Sequence, residues 1–165
     1  MEREYLQELD HKVYSIENVY KGDYLSRLTT TDGVFYSRLS LIKLLENACI
    51  LYGSTLEGRI QAIRKVTGYH HKTPVIMIPD FVSAFPTESY KQSTCVWIFN
   101  HPFKIEELGK KKCKVIFNDG QFIIVNVSKE VLLSQRQRCE WTLEKFRQTQ
   151  HNMNRIIEYH RVRNY

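Results

Sequence analysis

The chain of 165 residues carries 24 Lys and Arg against 18 Asp and Glu, a formal net charge of +6, with 42% hydrophobic and 25% charged residues. This balance is ordinary for a water-soluble globular protein and fits one domain over residues 1–165, with 1–10 and 147–165 as peripheral extensions. It excludes a membrane-spanning helix, because no segment approaches the ~20 apolar residues that a span requires.

The acidic start MEREYLQELD reverses the basic-then-apolar order of a secretory signal, so a cytoplasmic protein is expected. VYSIENVY at 13–20 mixes β-branched and aromatic residues and ends at Lys21-Gly22-Asp23, which predicts a strand and a turn. YLSRLTTT and VFYSRL flank Asp32-Gly33, a hairpin signal in which both residues accept positive φ. These segments predict a small N-terminal sheet.

From Ser40 the period becomes helical. Leu41, Leu44, Leu45, Ala48, Leu51 and Tyr52 share one face of a helix over 41–52, and Gly53 stands at its stop. Ser54-x-x-Glu57 reads as a capping box opening a second helix over about 55–67, with Leu56, Ile60 and Ile63 as its apolar stripe and Gly68 as its end. On that helix Arg59 lies beside the stripe, while Gln61, Arg64 and Lys65 point away from it and form a basic, hydrogen-bonding face.

Strands follow at 73–78, 81–85, 94–99, 112–117 and 121–127, with turns at Pro79-Asp80 and Asn118-Asp119-Gly120. An antiparallel sheet is the natural result. Ser128 caps a long final helix from about 129, whose stripe Leu132, Cys139, Leu143, Phe146, Met153 and Ile157 meets no Gly or Pro. The stripe is long for so small a body, so part of it is expected to extend and pair with another subunit. The fold class is therefore α+β: mostly antiparallel sheet, a short helical pair and a long C-terminal helix.

Nothing here assembles a catalytic site. The chain has no Gly-rich phosphate loop, no nucleophile elbow and no paired acidic signature, and His70 and His71, if adjacent on a strand, point to opposite faces. Cys49, Cys95, Cys113 and Cys139 lack Cys-x-x-Cys or matching His spacing, so buried free thiols are expected rather than a zinc or redox site. No cofactor is expected and the protein reads as a non-enzyme. Phe81, Phe85, Trp97, Phe99, Phe117 and Phe122 lie in apolar strands, which favours core packing over stacking on single-stranded nucleic acid.

Charge points to binding. Residues 1–103 hold 11 Lys and Arg against 11 Asp and Glu, whereas residues 104–165 hold 13 against 7, and residues 54–79 form a second basic region with Glu57 as its only acid before Asp80. Clustered cations of this kind are the footprint of a nucleic-acid binder, although they also describe a merely solvated face.

YGSTLEGR at 52–59, HHKTPVIMIP at 70–79, AFPTES at 84–89 and CVWIF at 95–99, with a later strand pair around FNDG, are similar in order and spacing to the competence transcription factor family, ComK. The resemblance runs from about Tyr14 to about Phe146. It implies an activator of DNA-uptake genes that recognises A/T-rich double-stranded DNA through the minor groove as a dimer or higher assembly, associated with the nucleoid. RNA polymerase and a proteolytic adaptor are the partners it implies. The N-terminal decapeptide and the tail HNMNRIIEYHRVRNY have no counterpart, so control by regulated proteolysis is not carried over.

DNA contacts are assigned to Arg59, Gln61, Arg64, Lys65, His70, His71 and Lys72, and to Lys110, Lys111, Lys112, Arg136 and Arg138 in the C-terminal basic region. Arg59, Arg64, Lys65 and Lys72 are expected to matter more than the lysine run, because they sit on capped, ordered structure. One alternative is a helix-turn-helix, against which the turn Gly53-Ser54 is short. The other is a protein-interaction domain whose cations are only solvated.

Overall fold

The computed structural model describes residues 2–78 and 82–163, with Ile78 described through its backbone only. Three antiparallel strands open the fold: β1 (Val13–Lys21), β2 (Tyr24–Thr30) and β3 (Gly33–Ser37). Thr30 pairs with Gly33, so the β2–β3 loop is Thr31-Asp32 and only Gly33 takes a positive φ, at 111°. The hairpin is shifted by one residue from the Asp-Gly turn that the sequence suggests. Thr30 accounts for the shift: its hydroxyl accepts from the Asp32 amide at 3.1 Å and donates to the Gly33 carbonyl at 2.9 Å.

Two helices follow, α1 (Leu41–Leu51) and α2 (Leu56–Thr67). Ser40 caps α1 by accepting from the Lys43 amide. The α2 cap is Thr55, which accepts from the Gly58 amide at 2.9 Å, so the Ser54–Glu57 capping box does not form. Glu46 of α1 accepts from the Leu56 amide at 2.9 Å, satisfying another donor of the first turn. Gly68, at φ 76°, ends α2 in the left-handed conformation expected of a helix-stop glycine.

Strands β4 (Val75–Ile78), β5 (Val82–Pro86) and β6 (Val96–Phe99) then complete a six-stranded sheet in the order β3-β2-β1-β6-β5-β4. The predicted turn at Pro79-Asp80 and the predicted start of a strand at Phe81 lie outside the described residues. β6 pairs with β1 through Ser15–Ile98, Ile16–Trp97 and Glu17–Val96, so the N-terminal strands are half of a larger sheet rather than a sheet of their own. β7 (Phe103–Gly109), β8 (Lys112–Phe117) and β9 (Phe122–Val125) form a separate three-stranded sheet with β8 in the middle. The 35-residue α3 (Lys129–Arg163) closes the chain, with Ser128 accepting from the Val131 amide.

Alternation along the central strands places apolar side chains on both faces, because both faces are covered. Trp97 and Phe99 face α1, α2 and the N-terminal segment. Val96 and Ile98 face the small sheet and the start of α3, through Val115, Phe117, Leu132 and Cys139. Tyr14 stacks on Phe117 at 4.3 Å and meets His101 edge-on at 4.8 Å where the two sheets join. Residues 2–10, expected as a peripheral extension, pack into the body: Tyr5 and Leu9 are buried, and the Tyr5 amide donates to the Tyr36 carbonyl along β3. All four cysteines are buried free thiols, and burial pushes Cys139 up to about 12.

Candidate nucleic-acid interface

The end of α2, the loop 68–72 and the middle of α3 converge, because four α3 side chains reach across to that loop and helix. Gln135 is 3% exposed, and its Nε2 donates to the carbonyls of Lys72 at 2.7 Å and Pro86 at 3.0 Å. One helical turn on, Arg138 lies over the Tyr69 ring at 4.7 Å and donates to the His71 carbonyl at 3.2 Å. Trp141 approaches Tyr69 at 6.3 Å, and Lys145 sits over Trp141 while its Nζ donates to the Val66 carbonyl near the C-terminus of α2. A cation there also complements the helix dipole.

Lys72 has φ 50°, the one positive value among the described non-glycine residues, and the Gln135 bond to its carbonyl helps hold that conformation. His70 and His71 are exposed in the loop, not on a strand, so the argument from opposite strand faces does not apply to them. His71, Lys72, Gln135 and Arg138 line a shallow groove that also receives Glu130. Lys65 is exposed on the last turn of α2. Among the described residues none of Lys65, His70, His71, Lys72 and Arg138 is in an ion pair, so the charges of Lys65, Lys72 and Arg138 are not cancelled by a carboxylate.

The other predicted site residues are placed differently. Arg59 is a brace: its guanidinium donates to Ser54 Oγ at 2.7 Å, the Ile76 carbonyl at 2.6 Å and the Tyr52 carbonyl at 3.2 Å, tying the turn before α2 to strand β4. Arg64 donates to Thr73 Oγ1 at 3.0 Å, and Gln61 donates to Glu57 at 3.2 Å. Arg136 lies over Phe103 at 4.7 Å and donates to its carbonyl, so it faces the small sheet. Lys110 and Lys111 form the two-residue turn between β7 and β8, and Lys112 opens β8, all three exposed on the small sheet.

The turn between α1 and α2 covers residues 52–55, four rather than two, so its length does not count against a helix-turn-helix. The occupied Arg59, Arg64 and Gln61 do, since they leave α2 short of free side chains for base edges. Gln135 is the residue that sequence reasoning missed. Its signal is the spacing 135, 138, 141, 145, a second helical stripe beside the apolar one.

Among the described residues no helix is long and apolar enough to cross a membrane, and no group of three or more His, Cys, Asp or Glu could hold a metal ion. No solved structure matches the chain. It is 27% identical over 127 residues to the competence transcription factor of Bacillus subtilis (strain 168), a match that covers 76% of this chain and 66% of the relative's length. The model of the family described as ComK protein matches residues 9–151, most of the chain, which therefore belongs to the ComK family.

Proposed function

We propose that the protein is a transcription regulator that binds A/T-rich double-stranded DNA and activates genes for DNA uptake. The observation that carries this reading is that His71, Lys72 and Arg138 come together around one groove, with Lys65 and His70 exposed on the elements beside it, and none of them in an ion pair. Minor-groove recognition suits such a face, because a narrow A/T-rich groove has a strongly negative potential and draws in cations without a dedicated reading helix. The relative's name, competence transcription factor, supports the same reading. A cytoplasmic, nucleoid-associated location follows from it, with RNA polymerase as a further proposed partner.

The test is a titration on A/T-rich and G/C-rich duplexes at several salt concentrations. With about 6–8 phosphates neutralised by a bound dimer, the log–log slope is expected near −5 to −7, with tighter binding to A/T-rich duplex. A slope near zero overturns the reading.

The proposed assembly is a homodimer through α3. Residues 147–163 are all exposed, and Met153 and Ile157 continue the same helix face that Leu132, Cys139 and Leu143 bury in the body. Where α3 leaves the body, an apolar cavity of about 250 Å³ lined by Ile63, Ile76, Leu143 and Phe146 opens beside that face. A second copy laid stripe to stripe covers both, as an exposed patch of this kind requires. Ile157→Lys, at a position 46% exposed, is expected to leave the monomer's stability unchanged and weaken self-association in sedimentation velocity. DNA affinity then falls because two half-sites are no longer engaged together.

A further inference from the structure

The outer face of the small sheet combines exposed apolar side chains with a cluster of lysines. Its inner positions, Cys113, Val115, Phe117, Ile123 and Val125, are buried against the six-stranded sheet and α3. Its outer positions form two rows across the strands: Lys104, Ile116 and Phe122, then Glu106, Lys114 and Ile124. Lys112 lies on the same face, and the β7–β8 turn adds Lys110 and Lys111 at its rim. Five lysines thus surround one carboxylate, Glu106.

On the edge strand β9, to one side of those cations, Phe122 is 50% exposed in a row with Ile116 and Lys104, and Ile124 and Leu108 are also exposed. Phe85, Trp97, Phe99 and Phe117 are buried, so Phe122 departs from the core packing that its apolar strand suggests. Lys114 Nζ lies 4.2 Å from its ring centroid, which holds the ring beside a charge instead of beneath other side chains. A phenylalanine and an isoleucine with lysines along one flank match a polyanion that has apolar surface beside its charges. Duplex DNA is that ligand: phosphates flank stacked bases, and sheet proteins that enter the minor groove push apolar side chains between base steps. Three strands span about 10 Å, so with Phe122 and Ile124 at a groove the lysines of β7 and β8 reach the phosphates along one side of it.

We infer that the outer face of β7–β9 is a second DNA-contacting surface, in which Phe122 and Ile124 wedge into the minor groove while Lys104, Lys112 and Lys114 neutralise flanking phosphates. This rests on the reading that the chain binds duplex DNA, and it adds a consequence that the loop at 68–72 does not supply. A side chain inserted between base steps kinks the duplex, so binding bends DNA.

Two variants of the full chain test this on an A/T-rich duplex carrying a donor and an acceptor dye at its ends. Phe122→Ser with Ile124→Ser is expected to weaken binding about tenfold and abolish the bend seen by energy transfer, with the salt slope unchanged. Lys104→Ala with Lys112→Ala and Lys114→Ala is expected to make the slope shallower by about 0.9 per lost contact. All five positions face solvent or lie at the surface, and circular dichroism verifies the fold. Wild-type affinity and bending in both variants overturn the second surface and leave the DNA reading standing; a wild-type protein that binds no duplex overturns both. Loss of self-association in the Phe122/Ile124 variant without DNA assigns the face to a second copy and also overturns the inference.

Discussion

The N-terminal strands hold most of their cations by carboxylates, although Arg3 lies over Phe35, whereas the α2–α3 region holds its own mainly by rings, carbonyls and hydroxyls. In the first, Lys12 pairs with Asp32, Lys21 with Glu2, Arg27 with Glu17 and Arg38 with Glu4. In the second, Arg138 and Lys145 rest on Tyr69 and Trp141, and Arg59 and Arg64 donate to two carbonyls and two hydroxyls. Beyond Arg38, the ion pair among the described residues is Arg147 with Glu144, at a loose 3.9 Å. A carboxylate cancels the cation it orients, whereas a ring or a carbonyl orients it and leaves its charge available to a ligand. An equal number of positive side chains thus yields a neutral scaffold at one end and an outward positive field at the other.

The sharpest way to break this contrast is to loosen what holds the second region. Gln135→Leu removes the donor to the buried Pro86 carbonyl and the half-buried Lys72 carbonyl, which is expected to cost about 1–3 kcal/mol in urea denaturation. DNA affinity should fall with it, because the loop that presents His70, His71 and Lys72 loses its anchor. No N-terminal ion pair should approach that cost, since exposed pairs contribute about 0–1 kcal/mol.

Affinity gives the second comparison. Lys65→Ala with His71→Ala is expected to weaken DNA binding about tenfold, at roughly 1 kcal/mol per lost phosphate contact or less for the histidine, with stability unchanged. Lys12→Ala with Arg38→Ala should change affinity less than about twofold, because those cations are already neutralised. Equal losses from the two double variants in the same fluorescence titration would erase the distinction between the regions.

The smallest effect separates stability from binding within one residue. Lys72→Gly relieves a positive φ and is expected to raise stability by up to about 1 kcal/mol. The same substitution removes one cation from the interface, so the salt slope should become shallower by about 0.9 per chain. A less stable Lys72→Gly protein would show that the side chain's packing outweighs its backbone cost.

Local features of the fold were legible where neighbouring residues decide the outcome. The helical spacing of Leu41, Leu44, Leu45 and Ala48 and the glycine stop at Gly68 correspond to α1 and to the end of α2. The α2 cap was missed by one residue because Glu46, ten positions away, completes that terminus. Strand β7 was missed because FKIEELG is polar and mostly exposed, so only its pairing with β8 marks it as a strand. The division into two sheets depends on Ser15 meeting Ile98, a choice between distant partners that no local pattern encodes.

The candidate site shows the same limit. Its cations were visible by type, but what each one touches was not. Arg59 and Lys65 share a helix and a charge, and only the nearness of the Ile76 carbonyl makes one a brace and leaves the other at the surface. Gln135 carries no charge and belongs to no motif, so its role depends entirely on the two carbonyls that the fold brings to it.

The β1–β6 seam has a consequence for the order in which the chain acquires its shape. The centre of the large sheet cannot close until the residues around Ile98 have left the ribosome, some 70 residues after the end of β2. At about 5–20 residues per second, the first three strands wait on the order of 3–15 seconds with one long edge unmet. An unpaired strand edge invites aggregation during that interval. Lys12–Asp32 and Arg27–Glu17 clasp the waiting meander across its own strands. Two of the ion pairs that neutralise the N-terminal half thus lie within the meander that must wait, each linking two of its segments before their last neighbour arrives.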